Sequence, residues 1–297
     1  MTFPRYMKPM FESWKDEAAM KIIDTYPDFT ALFQEKAVCL ENWRSYANGI
    51  SPNLSAFLEH DAAHYDWEAD ILPVVTNALR KKDKLAQAHS SFQAITQRLP
   101  QKSLAVFGAE PDVSILFYLG LCNGAGWAVS LDGKPAILLG AEKIVELGWS
   151  DQQKMAGVIC HELGHLWHYS ARRSPATPND HRTQALWQLY AEGMAMHCEQ
   201  LLCGDMDFYH QYDASWFNWC RSNQTRLFGE YKRRIDAQES VQPFFGDWHE
   251  FEGHSDVGYY LGAVLINKYA EKLCLQELAN LDLEEIDQVL TDMAQAH

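Results

Sequence analysis

Two histidines four residues apart, with a glutamate beside the first, make His161-Glu162-Leu163-Gly164-His165 the segment of this chain best suited to chemistry. On a helix, positions i and i+4 share a face, so both imidazoles can aim at one ion. Glu162 is turned to one side, where a carboxylate can take a proton from a water held by that ion without ligating it. His-Glu-x-x-His on a helix is the pattern of zinc hydrolases. Spacing alone does not single the segment out, because the chain has 12 histidines and His60-Asp61-Ala62-Ala63-His64 repeats the interval. Asp is the shorter base, however, and His60 and His64 read as a polar helix face.

Catalytic zinc takes three protein ligands and keeps one position for water. A histidine six residues past His165 would complete one known arrangement, but Ala171 stands there, and His168 stands where that arrangement has glycine. His168 therefore reads as a packing or supporting residue. Glu192, in Glu192-Gly193-Met194-Ala195, lies far enough along for a helix end, a loop and a returning helix. Gly193 would let two helix backbones approach closely. Glu199, two turns later, shares the face of Glu192 and suits a hydrogen bond to a ligand imidazole. Cys160 lies about 100° around the helix from His161 and reads as packing rather than ligation.

His161-Glu162-x-x-His165 followed by Glu192-Gly193-x-Ala195 resembles the gluzincin metallopeptidases. Tyr259-x-x-Gly262 is similar to a segment of the aminopeptidase N-like members, and the arrangement as a whole resembles a bacterial family of predicted zinc-dependent proteases. The resemblance spans residues 113 to 269. It implies zinc held by His161, His165 and Glu192, Glu162 as general base, and Tyr259 as a hydrogen-bond donor to the developing oxyanion, with Tyr260 and His254 as alternatives for that role. No Gly-x-Met-Glu-Asn segment is present, so exopeptidase specificity is not implied. Two other readings stand beside this one: a non-catalytic zinc-binding regulatory module, and a metallohydrolase of a non-peptide substrate.

Several elements must position these residues. Segments 11–26, 27–49 and 83–99 place apolar residues at three- and four-residue intervals, which predicts helices. The β-branched and aromatic run 112–121 reads as a strand. Asp132-Gly133 between two apolar runs predicts a hairpin over 127–140. Either of its strands, 127–131 or 136–139, could pair with an extended peptide. Helical texture returns at 141–149. Ser150 or Asp151 then caps the motif helix, whose apolar positions Met155, Val158, Ile159, Leu166 and Tyr169 keep helical spacing. A loop with Pro175 and Pro178 leads to a second long helix over 180–202 and a mostly helical remainder. Trp149, Trp167 and Trp187 read as filling between helices. The expected class is α+β and mostly helical, with a small sheet packed on the motif helix. The expected domains are a helical N-terminal region, 1–100, and a zincin-like metallopeptidase domain, 101–297.

The resemblance implies a peptide or protein substrate, and composition argues against other classes of partner. The chain's 297 residues suffice for one large domain or two lobes, and 47% hydrophobic with 22% charged residues is ordinary for a globular protein. A net charge of -15 with no basic stripe argues against nucleic acid. No apolar run is long enough for a membrane span, and the first residues carry no signal-peptide core. Seven cysteines without paired spacing read as reduced thiols in a cytoplasmic protein.

Overall fold

The structure is a computed structural model, which describes residues 20–174, 177–209, 213–246 and 249–295. The chain divides into two compact units, and the division falls inside one helix, between Glu162 and Leu163. Among the described residues the fold is α+β and mostly helical, with a mixed four-stranded sheet and a two-stranded one.

The first unit holds β1 (Lys21–Asp24), then α1 (Tyr26–Glu35), α2 (Leu40–Ile50), α3 (Leu54–Asp61), α4 (Leu72–Arg80), α5 (Lys82–Thr96) and α6 (Leu99–Phe107). Next come β2 (Ser114–Tyr118), β3 (Trp127–Leu131), β4 (Lys134–Gly140), α7 (Ala141–Glu146) and the start of α8 (Gln152–Ala171). The sheet order is β1-β2-β4-β3, with β1, β2 and β4 parallel and β3 antiparallel on an edge. The β3–β4 hairpin turns on Asp132 and Gly133, both at positive φ, which is the pairing a two-residue turn of right-twisting strands requires. The central strand β2 is buried on both faces, with Ile115 to Leu119 all at 0% exposure, which explains its unbroken apolar run.

Residues 21–24 correct the expectation of helix over 11–26. Ile22 and Ile23 sit in parallel register with Ile115 and Leu116, so a non-local pairing overrides a short ambiguous local pattern. Residues 11–19 of that segment, the first residues read as lacking a signal-peptide core and the loop residue Pro175 lie outside the described residues. The expected helix over 27–49 is two helices, broken at 36–39.

The second unit continues α8 and adds α9 (His181–Cys203), α10 (Ala214–Ser222), α11 (Gln224–Asp236), the hairpin β5 (Glu250–Phe251) and β6 (His254–Ser255), α12 (Val257–Ala270), α13 (Leu275–Leu278) and α14 (Leu283–Gln295). Asp180 caps α9 through a reciprocal bond with Thr183, and Gly204 ends it in the left-handed conformation. Between Ala185 and Gln200 every residue of α9 except Gln188 is buried, so this is the central helix of its unit. Two of its buried polar side chains are matched by α12. His197 Nδ1 is 2.6 Å from Asn267 Oδ1 on α12, and Asn267 Nδ2 donates to Gln200 at 3.2 Å. No described helix is long and apolar enough to cross a membrane.

Candidate metal centre

The motif helix α8 starts at the expected cap. Asp151 Oδ1 accepts from the Lys154 amide at 3.0 Å, satisfying one of the first-turn N–H groups. Met155, Val158 and Ile159 are buried, so the apolar stripe fixes the rotation of the helix and with it the direction of the two histidines. His161 and His165 lie one turn apart, and Glu192 reaches them from α9. Their ligand atoms all lie within 4.8 Å of one another. His165 Nε2 and Glu192 Oε2 are 3.3 Å apart. Two ligands of a tetrahedral zinc at about 2.0–2.1 Å stand roughly 3.3–3.4 Å from each other, so this edge of the site already has the right length. The donor set fits a metal ion, and His161, His165 and Glu192 are the residues that could hold it. Among the described residues no other such cluster of His, Cys, Asp and Glu occurs.

Small residues in the motifs set the helix spacing. A Cβ on Gly164, inside the His-Glu-x-x-His segment, would lie 2.9 Å from the Ala195 carbonyl oxygen and 3.0 Å from its Cα. A Cβ on Gly193 would lie 2.4 Å from the Gly262 carbonyl oxygen. Ala195 thus brings α9 against α8, while Gly193 brings α9 against α12. The close approach expected of Gly193 is made to the tyrosine-bearing helix rather than to the motif helix.

Glu162 Oε2 accepts from the Ala128 amide at 2.8 Å. This is the tie that sequence reasoning missed, because a backbone donor leaves no residue-type signal. It also fixes the phase of the edge strand. Trp127, Val129 and Leu131 face β4 opposite Leu138, Ala136 and Lys134, while Ala128 turns its amide away toward Glu162. By alternation Ser130 turns outward as well, and its opposite number Pro135 has no N–H to offer. Strand β4 is paired on both sides, so of the two strands expected to accept a peptide only β3 has a free edge among the described residues.

The remaining sequence candidates separate cleanly. Tyr259 lies on α12 one turn before Gly262, on the side that packs on α9, and its ring meets Phe245 edge-on at 5.7 Å. Tyr260 is buried among Tyr209, Trp216 and Phe217, and its hydroxyl donates to Gln224 at 2.7 Å. His254 lies flat on Trp219 with ring centroids 3.7 Å apart. Those two side chains are committed to packing. Glu199 is fully buried on α9. His168 is buried against Trp187 and Tyr190; burial, then the Arg172 charge, hold its pKa well below the usual histidine range. Cys160 is buried. His60 and His64 are exposed, and α3 ends at Asp61, so the two do not share a helical face. Comparison of the chain with protein-family models, with curated proteins and with solved structures returns no match.

Proposed function

We propose that this protein is a zinc-dependent metallopeptidase in which His161, His165 and Glu192 hold the metal and Glu162 is the general base. The observation that carries the reading is the convergence of these three donors from α8 and α9 with an intact glutamate next to the first. Three donors support a site with a position left for water, as hydrolysis needs and a closed structural site does not. Bound there, zinc would supply a Lewis acid and a water of lowered pKa.

The chain's own residues supply the rest. An extended peptide would pair with the free edge of β3 through the outward Ala128 carbonyl and the backbone groups of Ser130, the Ala128 amide being held by Glu162. Glu162, oriented by the Ala128 amide, would take the proton of the attacking water and pass it to the leaving amine. Tyr259 would donate a hydrogen bond to the oxygen on which negative charge develops. Zinc stoichiometry of the purified chain beside Glu192→Ala tests the site. About one zinc per native chain, with much weaker retention in the variant, is expected, followed by cleavage in a panel of unstructured peptides. Equal retention by Glu192→Ala places the third ligand elsewhere, and a native chain that binds no zinc on reconstitution ends the enzyme reading.

A further inference from the structure

A second glutamate of the first unit is buried more deeply than Glu162, and the mechanism above does not use it. Glu142, in the first turn of α7, is 0% exposed. Its Oε2 accepts from the Gly120 amide at 2.7 Å and its Oε1 from the Cys122 amide at 3.1 Å. Both amides belong to the loop 119–126 that joins β2 to β3. The loop is pressed onto this carboxylate: a Cβ on Gly120 would fall 2.6 Å from Glu142 Oε1, and one on Gly140 would fall 2.5 Å from the Gly124 carbonyl oxygen. Cys122 takes a left-handed φ of 62° to present its amide.

Downstream, the same loop reaches the motif helix. A Cβ on Gly126 would lie 2.3 Å from Val158 and 3.5 Å from Cγ of Glu162. Two residues later Ala128 delivers its amide to Glu162. One short covalent stretch is therefore pinned by a carboxylate at each end, Glu142 at the start and Glu162 at the finish. We infer that Glu142 is a positioning residue: it holds the β2–β3 loop so that the Ala128 amide orients Glu162 beside the metal ligands. In its functional part this rests on the peptidase reading.

A carboxylate here is costly, since a buried charge needs partners, and a purely structural tie would need only a neutral acceptor. Burial lifts the Glu142 carboxyl to about 7, against the pull of the Gly120 and Cys122 amides and of Lys143. The other titratable groups that feel its charge are Tyr118, Tyr46 and Cys122. Because the closed, buried loop favours the protonated carboxyl, the loop is held more firmly below that value than above it.

Residue-resolved amide exchange on the full chain tests the inference. In Glu142→Ala, which removes both acceptors, protection of the Ala128 amide at pH 6 should fall about tenfold or more while the amides of β1 stay protected. Peptide cleavage should lose kcat with KM little changed. Unchanged Ala128 protection in a folded variant overturns the proposal. Should Glu142→Ala not fold, the wild-type chain carries the same test: the Ala128 protection factor should fall from pH 6 to pH 8, and a flat profile overturns it. A chain that cleaves no peptide overturns the peptidase reading, while the exchange result decides the positioning by itself.

Discussion

Gly193→Ala probes the geometry of the centre without touching a ligand. The new methyl would stand 2.4 Å from the carbonyl oxygen of Gly262, 2.6 Å from its carbonyl carbon and 2.9 Å from its Cα. All three are backbone atoms of α12, so no side chain can rotate away and the helices must separate. Overpacking of this kind costs roughly 1–3 kcal/mol, and contact with backbone puts the case at the upper end. Against it stands the helix preference of Ala over Gly, about 1 kcal/mol. The net loss is about 2 kcal/mol. Gly229→Ala supplies the control, because Gly229 is also helical and nothing lies within 4 Å of its Cβ position. That variant should gain about 1 kcal/mol, so two identical substitutions should differ by about 3 kcal/mol in urea unfolding of the metal-free chain. Separation of α9 from α12 also carries Glu192 off its 3.3 Å approach to His165, and zinc affinity should fall by roughly 10- to 100-fold, as when a ligand's support is lost. Equal stabilities for the two variants, or unchanged zinc affinity in Gly193→Ala, would refute the argument that these glycines set the site.

Other substitutions separate binding from chemistry. Glu162→Gln should keep zinc and lose peptide cleavage by roughly 10²–10⁴-fold, measured by metal analysis and turnover on one preparation; activity near the native level would show that another group is the base. Tyr259→Phe should retain zinc and lose roughly 10²–10³ in kcat, whereas Tyr260→Phe, which breaks only the bond to Gln224, should lose stability rather than turnover. Glu142 gives stability a pH dependence with a definite sign. Its carboxyl titrates at about 7 in the fold against 4.5 when unperturbed, so the folded state binds the proton more tightly. Its contribution is fully present below pH 4.5 and is lost as pH rises through 7, by about 3 kcal/mol at pH 8. Glu142→Gln should therefore gain on the wild type between pH 4.5 and pH 8 in urea midpoints, and a constant difference would disprove this assignment.

Local pattern revealed most of the scaffold because most of its elements are locally determined. The hairpin rested on Asp132-Gly133, whose residues do adopt the required left-handed φ. The motif helix rested on a cap and an apolar stripe, and the residues 180–202 read as helix are observed as 181–203. β1 escaped because four residues, Lys-Ile-Ile-Asp, carry no decisive period, and their strand state exists only in register with β2, some ninety residues away. The placement of β3 on the sheet edge is likewise a property of the strand order, which no single segment encodes.

The candidate centre was legible to a different degree for ligands than for what orients them. Two histidines and a glutamate are recognised by residue type, and Gly193 by its place beside Glu192, while the close approaches at Gly164, Ala195 and Gly262 emerge only from the packed helices. The orienting groups are hidden for a physical reason. Ala128 acts through its amide, and any residue but proline has one. Glu142 and Glu146 stand four residues apart in Ala-Glu-Lys-Ile-Val-Glu and look equivalent as polar positions of an amphipathic turn. Yet Glu142 is fully buried on two loop amides, while Glu146 is exposed and paired with Lys143. On a helix of six residues, burial is decided by the loop that folds back over its first turn, and that loop has Gly120 and Gly140 where side chains would collide with the carboxylate. The informative sequence signal was therefore in the glycines rather than in the glutamate. A buried acid announces itself through the small residues that make room for it.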